Sequence, residues 1–180
     1  MKWMVASDIH GSNCYCEKLI EAFKEEKADR LLLLGDVLYH GPRNDLPRDY
    51  APKKVIPLLN GMKDKILCVR GNCDTEVDQM VLEFPILADY ALVCDGGKTV
   101  YATHGHKFNP DNLPPLVEGD YMLFGHTHIP EAITKNGITV INPGSVSIPK
   151  ADSPHSYIIF ENGTFVWKDL ETGKEYKKLS

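Results

Sequence analysis

Short apolar runs without polar alternation mark the first half of the chain. The clearest is Leu31-Leu32-Leu33-Leu34, a pattern typical of a strand buried on both faces. With Arg30 it predicts a strand, and similar runs predict strands from Lys2 to Ser7 and from Ile66 to Val69. Between the first two, Asn13 to Lys27 has apolar residues at helical spacing on one face and charged residues on the other. Strand, helix, strand is the unit from which parallel sheets are built.

The segment after the second strand contains several residues that break regular structure. From Tyr39 to Pro52 glycine and proline interrupt any period, so we predict a loop. A second helix is predicted from Ala51 to Asn60, although Pro57 inside it argues against a continuous helix. A short helix is expected to follow the third strand and to end near Leu82.

Three glycine-containing turns in the second half predict β-hairpins. The predicted antiparallel pairs are Ala91–Cys94 with Thr99–Thr103, Ala132–Lys135 with Ile138–Ile141, and Tyr157–Phe160 with Thr164–Trp167. We expect these hairpins to form a second sheet, which the last part of the chain closes. Because no linker or repeat divides the sequence, residues 1–180 are predicted to form a single domain of two packed sheets with helices outside.

The composition is that of an ordinary globular protein, with 43% hydrophobic and 25% charged residues in a chain of 180. A net charge of -5 argues against binding nucleic acid through bulk electrostatics. The five cysteines are odd in number and lack framework spacing, which favours a reduced, cytoplasmic protein over a secreted disulfide scaffold. No apolar run is long enough to span a bilayer and the N-terminus lacks a signal-like segment, so no membrane association is expected.

Side chains of the kind that bind metals follow five of the apolar runs, each close to a glycine. Asp36 follows the leucine run directly, where a buried carboxylate without a positive partner would be costly. We predict that the five strand ends converge on one two-metal site, with Asp36 bridging the two ions. The candidate ligands are Asp8, His10, Asp36, Asn72, His104, His126 and His128.

The ligand types indicate which metals would bind. Asp8 and His10 are two residues apart, as are His126 and His128, and in an extended segment such pairs face the same way. Mixed nitrogen and oxygen ligands favour manganese, iron, zinc or nickel over calcium or magnesium. Two such ions about 3.5–4 Å apart can clamp the attacking and leaving oxygens of a phosphoryl group. We therefore expect two divalent ions, with Mn²⁺ as the first choice and iron, zinc and nickel as alternatives.

The order of these motifs resembles that of the calcineurin-like metallophosphoesterases. The motifs are Ser7-Asp8-Ile9-His10-Gly11, Gly35-Asp36, Gly71-Asn72-Cys73-Asp74, Thr103-His104-Gly105-His106 and Gly125-His126-Thr127-His128. Two longer segments, 35–44 and 142–150, are similar to the YfcE-type bacterial phosphodiesterases within that family. The resemblance covers nearly the whole chain.

The resemblance implies a fold, a ligand set and a reaction. The fold is a four-layer α/β/β/α sandwich of two mixed sheets. A hydroxide bridging the dinuclear centre would attack phosphorus in line. Asp36, Asn72 and His104 would be the catalytic residues. The ligands of one metal would be Asp8, His10, Asp36 and His128, and those of the other Asp36, Asn72, His104 and His126.

Two positions depart from the wider family. Cys73 stands where a histidine usually follows the ligand asparagine, as in the YfcE-type enzymes, and a thiol is a poor proton donor. Protonation of the leaving group would fall to water or to His106, or would not occur, which predicts a preference for good leaving groups. Tyr39 stands where the wider family usually has an aspartate, and we interpret it as a packing or hydrogen-bonding residue, with a metal ligand as the less favoured alternative.

The remaining polar residues of the motifs have more than one interpretation. Arg43 would suit a bidentate phosphate contact, and a solvated loop is the competing interpretation. Asp74 is expected to orient a ligand or to cap the following helix, and Ser145 and Ser147 are interpreted as turn residues. The predicted substrate contacts are Arg43, Asn44, His40, Cys73 and His106.

The predicted function is metal-dependent hydrolysis of small phosphodiesters. The alternatives on the same site are a phosphomonoesterase and a nuclease, and the second is disfavoured because no groove of aromatic and basic residues is evident. An alternative of another class is a non-catalytic scaffold of this fold that binds a protein partner. That alternative predicts eroded metal ligands, whereas every ligand position is intact. The sequence leaves the physiological substrate open and is compatible with a homo-oligomer.

Overall fold

A computed structural model describes residues 1–180. It contains two β-sheets, three α-helices and a 3₁₀ turn at Lys63–Lys65. The helices are α1 (Asn13–Glu25), α2 (Pro52–Asn60) and α3 (Glu76–Gln79). The strands are β1 (Trp3–Ala6), β2 (Arg30–Leu33), β3 (Ile66–Cys68), β4 (Tyr90–Asp95), β5 (Lys98–Thr103), β6 (Tyr121–Leu123), β7 (Glu131–Lys135), β8 (Ile138–Asn142), β9 (Ser156–Glu161), β10 (Thr164–Asp169) and β11 (Glu175–Leu179).

The first sheet combines the opening of the chain with its end, in the order β11-β10-β9-β1-β2-β3. The parallel pairing of β1, β2 and β3 is as predicted. The prediction that the last hairpin belongs to the second sheet is wrong, because β9 pairs antiparallel with β1, with Val5 opposite Ile158. Five consecutive buried residues of β9 explain this position, since a strand buried on both faces fits the middle of a sheet.

The second sheet has the order β4-β5-β6-β8-β7. The β4–β5 and β7–β8 hairpins form as their turns predict. Strand β6, which lies outside the predicted hairpins, pairs parallel with both β5 and β8, so the second sheet is mixed. A hairpin turn determines only its own pair of strands, and the order of separate hairpins depends on burial across the sheet.

The leucine run packs against both neighbouring layers. Leu31 and Leu33 belong to the apolar layer between the first sheet and helices α1 and α2. Leu32 and Leu34 point to the other side, into the layer between the two sheets, where they meet residues such as Trp167. Burial of β2 on both faces is therefore confirmed, and its end is fixed between two cores.

The predicted α/β sandwich of two mixed sheets is confirmed, and helices cover the outer face of the first sheet. The outer face of the second sheet is covered by the irregular segment 104–120, whose Phe108, Leu113 and Leu116 pack over Met122 and Val140. This segment is rich in proline and asparagine, which explains why it forms a loop layer and not a helical one.

The predicted second helix is confirmed, and α2 continues through Pro57. Pro57 is exposed, and its carbonyl accepts the hydrogen bond from Gly61 N at 3.1 Å. Proline lacks the N–H that would donate to the carbonyl four residues earlier. On the solvent face this loss destabilises a helix less, because water can donate to that carbonyl instead.

No helix in the protein combines the length and the apolarity that crossing a membrane requires.

We expect Trp167→Phe to weaken the contact between the two sheets. Trp167 is fully buried on β10 of the first sheet, and its Nε1 donates to Asn142 O at 2.8 Å, at the end of β8 of the second. The change removes this donor and leaves a buried carbonyl unpaired, so the free energy of unfolding should fall by about 1–3 kcal/mol. Urea denaturation measures the loss. Trp3→Phe, at a partly buried position, is the control, and an equal loss in both variants would contradict the interpretation.

Candidate metal centre

The seven predicted ligands lie at the carboxyl ends of strands from both sheets. Asp8 and His10 follow β1, Asp36 follows β2, and Asn72 follows β3; His104 follows β5, and His126 and His128 follow β6. Backbone hydrogen bonds hold neighbouring loops together, such as Asp8 N to Gly35 O at 3.1 Å and Gly125 N to His104 O at 2.7 Å. The loops of the two sheets thus meet at one edge of the sandwich.

Five of these residues have left-handed backbone conformations, which are unfavourable for residues other than glycine. The φ angles are 60° for Asp8, 49° for His10, 54° for Asp36, 66° for His126 and 62° for His128. The expectation that Asp8-x-His10 and His126-x-His128 are extended is therefore wrong. Strained backbone of this kind persists where surrounding contacts fix it, and it is concentrated at functional sites.

One group of side chains gathers Asp8, His10 and His128, all of them buried. Asp8 Oδ1 lies 3.5 Å from His10 Nε2 and 3.2 Å from His128 Nε2. The two Nε2 atoms are 3.3 Å apart. Three potential ligand atoms thus face a common point.

A second group gathers around the other side of Asp36. His104 Nε2 lies 3.4 Å from Asp36 Oδ2 and 3.1 Å from Asn72 Oδ1. The His126 ring lies 5.1 Å from the His104 ring, centroid to centroid, and His126 N donates to Asp8 Oδ2 at 3.1 Å. Asp36 Oδ2 is also 3.8 Å from His10 Nε2, so its carboxylate lies between the two groups.

The buried histidines are oriented by backbone carbonyls. Nδ1 of His10 donates to Tyr39 O at 2.7 Å, Nδ1 of His104 to Leu34 O at 2.6 Å, and Nδ1 of His128 to Ile148 O at 2.8 Å. A proton held on Nδ1 leaves the lone pair of Nε2 free for a metal, which is the usual arrangement of histidine ligands. The rings are therefore presented in the orientation that a metal site needs.

The electrostatics of the buried carboxylates also fit a cation. Asp8 Oδ1 is fully buried and accepts no hydrogen bond. Burial raises the pKa of Asp8, but the neighbouring His10 and His128 side chains outweigh it and hold the pKa well below its usual value. Burial lowers the pKa of His104, but Asp36 and Asp8 raise it to about 9. Two buried carboxylates that face several imidazole nitrogens suit a divalent metal.

Asp74 fixes the loops that carry Asp36 and Asn72. Its buried carboxylate accepts three backbone N–H groups, those of Asp36 at 2.8 Å, Val37 at 2.9 Å and Gly71 at 2.7 Å. Thr75 caps α3, so the expected capping role of Asp74 is wrong. The expected role of orienting a ligand agrees with its contact to the backbone of Asp36. Asp74 thereby ties the end of β2 to the end of β3.

We expect Asp74→Ala to damage both stability and metal binding. Three buried N–H groups lose their acceptor, so the free energy of unfolding should fall by about 3–5 kcal/mol. Affinity for Mn²⁺ should fall about 10–100-fold because the supporting contacts orient the ligands. Urea denaturation and calorimetric titration measure the two effects. Asp74→Asn, which keeps one acceptor oxygen, should give an intermediate loss; wild-type affinity in Asp74→Ala would show that the residue does not position the ligands.

The segment after β8 supports the Asp8 loop. The hydroxyls of Ser145 and Ser147 each donate to Asp8 O at 3.0 Å, and Val146 N donates to Ser7 O at 3.0 Å. These serines are buried, so they do more than form a turn. They hold Asp8 in its left-handed conformation.

Two glycines are required by the close approach of the loops. A Cβ on Gly71 would collide with the Asp36 carboxylate, and one on Gly125 would collide with the hydroxyl of Ser7. Neither position tolerates a side chain while its neighbouring ligand stays in place.

An open pocket of about 420 Å³ lies over the two groups, and none of the residues that line it is hydrophobic. Of the predicted substrate contacts, Arg43 and Asn44 lie in this pocket. The side chain of Asn44 is held by His40 O at 2.8 Å. The lining residues are Asp36, Arg43, Asn44, Asn72, His126, Thr127, His128 and Lys150.

The other three predicted contacts do not line the pocket. Cys73 is buried, with its N donating to Asp36 Oδ1 at 2.8 Å and its Sγ accepting from Asn72. Burial and the Asp36 charge raise the pKa of the Cys73 thiol, so it stays protonated. His40 packs edge-on against Tyr39 and Tyr50. The His106 ring lies 5.4 Å from that of His104, close to the ligands but off the pocket wall.

Two pocket residues were absent from the sequence prediction. Thr127 lies between the paired histidines and accepts from Asn142 Nδ2 at 3.0 Å. Lys150 is the last residue of segment 142–150, which resembles the YfcE-type enzymes. It is far in sequence from most of the predicted ligands, so the sequence alone does not indicate that it lines the pocket. The contact that places it is Lys150 N to His128 O at 3.1 Å.

Comparison with known proteins identifies relatives of this arrangement. The chain is 51% identical to phosphodiesterase YfcE of Escherichia coli over 162 residues, which cover 90% of this chain and 88% of the relative. A solved structure of the E. coli YfcE phosphoesterase superposes with a TM-score of 0.96 at 47% identity, covering 99% of this chain and 98% of that one.

More distant similarity shows the fold alone. Vacuolar protein sorting 29 of Cryptosporidium parvum superposes with a TM-score of 0.62 at 18% identity, covering 99% of this chain and 97% of that one.

The sequence model of one family, the calcineurin-like phosphoesterase superfamily domain, matches residues 1–164. The chain therefore belongs to the calcineurin-like phosphoesterase superfamily.

Proposed function

We propose that the protein hydrolyses small phosphodiesters at a centre of two divalent metal ions. The observation that carries the proposal is the position of the Asp36 carboxylate between two groups of ligand atoms, 3.4 Å from His104 Nε2 and 3.8 Å from His10 Nε2. A shared carboxylate is the simplest way to hold two cations close together. The 51% identity to a curated phosphodiesterase supports the same reaction.

The proposal assigns the ligands as the family resemblance implies. Asp8, His10 and His128 would hold one ion, Asn72, His104 and His126 would hold the other, and Asp36 would contact both. When bound, two such ions would activate a water molecule as nucleophile and polarise the phosphoryl oxygens. Mn²⁺ is the proposed metal because mixed imidazole and carboxylate ligands suit it.

Arg43 and Asn44 are proposed to bind the phosphoryl group on the solvent side of the centre. Both line the pocket above Asp36, and a guanidinium matches two phosphate oxygens at once. Cys73 is buried outside the pocket, and a thiol whose pKa is raised is a poor proton donor. We therefore propose that good leaving groups are preferred, with water or His106 supplying the proton.

Domain organisation and location are part of the proposal. Strand β11, outside the matched region, pairs with β10 of the first sheet, which supports one domain over residues 1–180. All five cysteines are free, which supports a reducing compartment such as the cytoplasm.

The test compares bis-p-nitrophenyl phosphate with p-nitrophenyl phosphate, using protein stripped of metal and resupplied with Mn²⁺. We expect kcat/KM for the diester to exceed that for the monoester by at least about tenfold. A preference for the monoester would instead favour a phosphomonoesterase. Hydrolysis of neither ester under any divalent metal would favour the protein-binding scaffold.

A further inference from the structure

The backbone of Lys150 is held beside one of the proposed metal ligands. His128 and the 148–150 segment exchange two hydrogen bonds, His128 Nδ1 to Ile148 O at 2.8 Å and Lys150 N to His128 O at 3.1 Å. These two hydrogen bonds therefore hold the Lys150 backbone at a fixed position relative to His128. The exposed ammonium group contributes to the same pocket as Asp36 and Arg43.

The pocket carries more positive charge than a simple phosphodiester can neutralise. Arg43 and Lys150 both line it, and neither takes part in any ion pair formed by the lysines and arginines of the protein. Two divalent ions, together with Asp8, Asp36 and a bridging hydroxide, would leave about one positive charge at the centre. A simple diester brings a single negative charge, so the two cationic side chains remain in excess.

The pocket also lacks hydrophobic side chains that would favour an uncharged ester group. None of its lining residues is hydrophobic, and Asp36, its one carboxylate, belongs to the metal centre. The excess positive charge is local, because the whole chain has a net charge of -5. A pocket of this kind selects its ligand by charge and hydrogen bonding.

We propose that Lys150 is a specificity-determining residue that binds a second anionic group, a carboxylate or a phosphate, on one ester arm of the substrate. Arg43 and the metal centre bind the scissile phosphodiester, and Lys150 binds the distal anion. This inference rests on the proposed function, and it names the substrate class as phosphodiesters with an additional negative charge.

The kinetic test uses three esters with the same leaving group. They are the p-nitrophenyl phosphodiesters of propanol, of 4-hydroxybutanoate and of 3-hydroxypropylphosphonate, compared at low ionic strength with Mn²⁺. We expect wild-type kcat/KM to be about tenfold higher for an anionic ester than for the propyl ester, mainly through KM. The carboxylate and phosphonate arms distinguish the two kinds of anion. Lys150→Gln should abolish the preference for the anionic esters, and Lys150→Arg should restore it.

The binding test is independent of turnover. The phenylphosphonate monoesters of the same three alcohols lack the leaving oxygen, and calorimetric titration into Mn²⁺-loaded protein gives their Kd. We expect about tenfold tighter binding of an anionic probe than of the propyl probe, with the difference lost in Lys150→Gln. Lys54→Gln, which changes an exposed lysine on α2, is the matched control and should behave as the wild type.

Equal wild-type affinity for charged and uncharged probes would overturn the inference, whether or not the esters are hydrolysed. Hydrolysis of the propyl ester without any preference would overturn it while leaving the proposed function intact. A binding preference without hydrolysis of any ester would support the role of Lys150 and count against the proposed function.

Discussion

Asp36→Asn should lower kcat/KM for a phosphodiester by at least about a thousandfold, equivalent to about 4 kcal/mol of transition-state stabilisation. The Asp36 carboxylate lies between the two groups of ligands, and both of its oxygens are used. Oδ1 accepts from Cys73 N at 2.8 Å, and Oδ2 faces His104 and His10. An amide of the same shape keeps the hydrogen bond but loses the charge that two cations would share.

The loss must be separated from unfolding. Asp36 is buried, and removing its charge also removes the partner of His104, so the thermal midpoint in EDTA is measured beside the activity. Asp45→Asn, at an exposed position in the following loop, is the matched control and should keep activity within about twofold. More than a tenth of wild-type activity in folded Asp36→Asn would show that Asp36 does not bridge the metals.

Removing both metals should abolish turnover and lower the thermal midpoint by about 10–20 °C. At a metal concentration about a hundred times Kd, binding to the folded state alone contributes about 2.7 kcal/mol per site. In a chain of this size each kcal/mol changes the midpoint by about 2–4 °C. The buried Asp8 oxygen without a hydrogen bond and the facing Nε2 atoms of His10 and His128 are the groups that lose most when the ions leave.

Differential scanning calorimetry in EDTA and in Mn²⁺ measures this shift. Asp36→Asn should show little or none of it, because its ligand set is incomplete. Equal midpoints with and without Mn²⁺ in the wild type, together with activity that survives EDTA, would contradict a metal-dependent enzyme.

The parts of the fold that local pattern determines could be predicted from the sequence. The leucine run predicts β2 because both of its faces are buried, and the glycine turns predict their own hairpins. The partner of the last hairpin could not be predicted, because a turn contains no information on which distant strand its hairpin joins. Only the pairing of β9 with β1 places it in the first sheet.

The metal ligands could be listed from the sequence because metal chemistry restricts residue types and parallel strands place their carboxyl ends together. Their geometry could not. The left-handed backbones of Asp8 and His128 depend on hydrogen bonds from distant loops, such as those of Ser145 and Ser147 to Asp8 O. Lys150 escaped prediction for the same reason, since a backbone contact with His128 places it.

The most direct test of the two-metal centre is anomalous scattering from crystals of the protein grown with Mn²⁺. The structure predicts two peaks about 3.5–4 Å apart, both in contact with Asp36. One peak should lie beside Asp8, His10 and His128, and the other beside Asn72, His104 and His126. A single peak, or none among these residues at saturating Mn²⁺, would contradict the account.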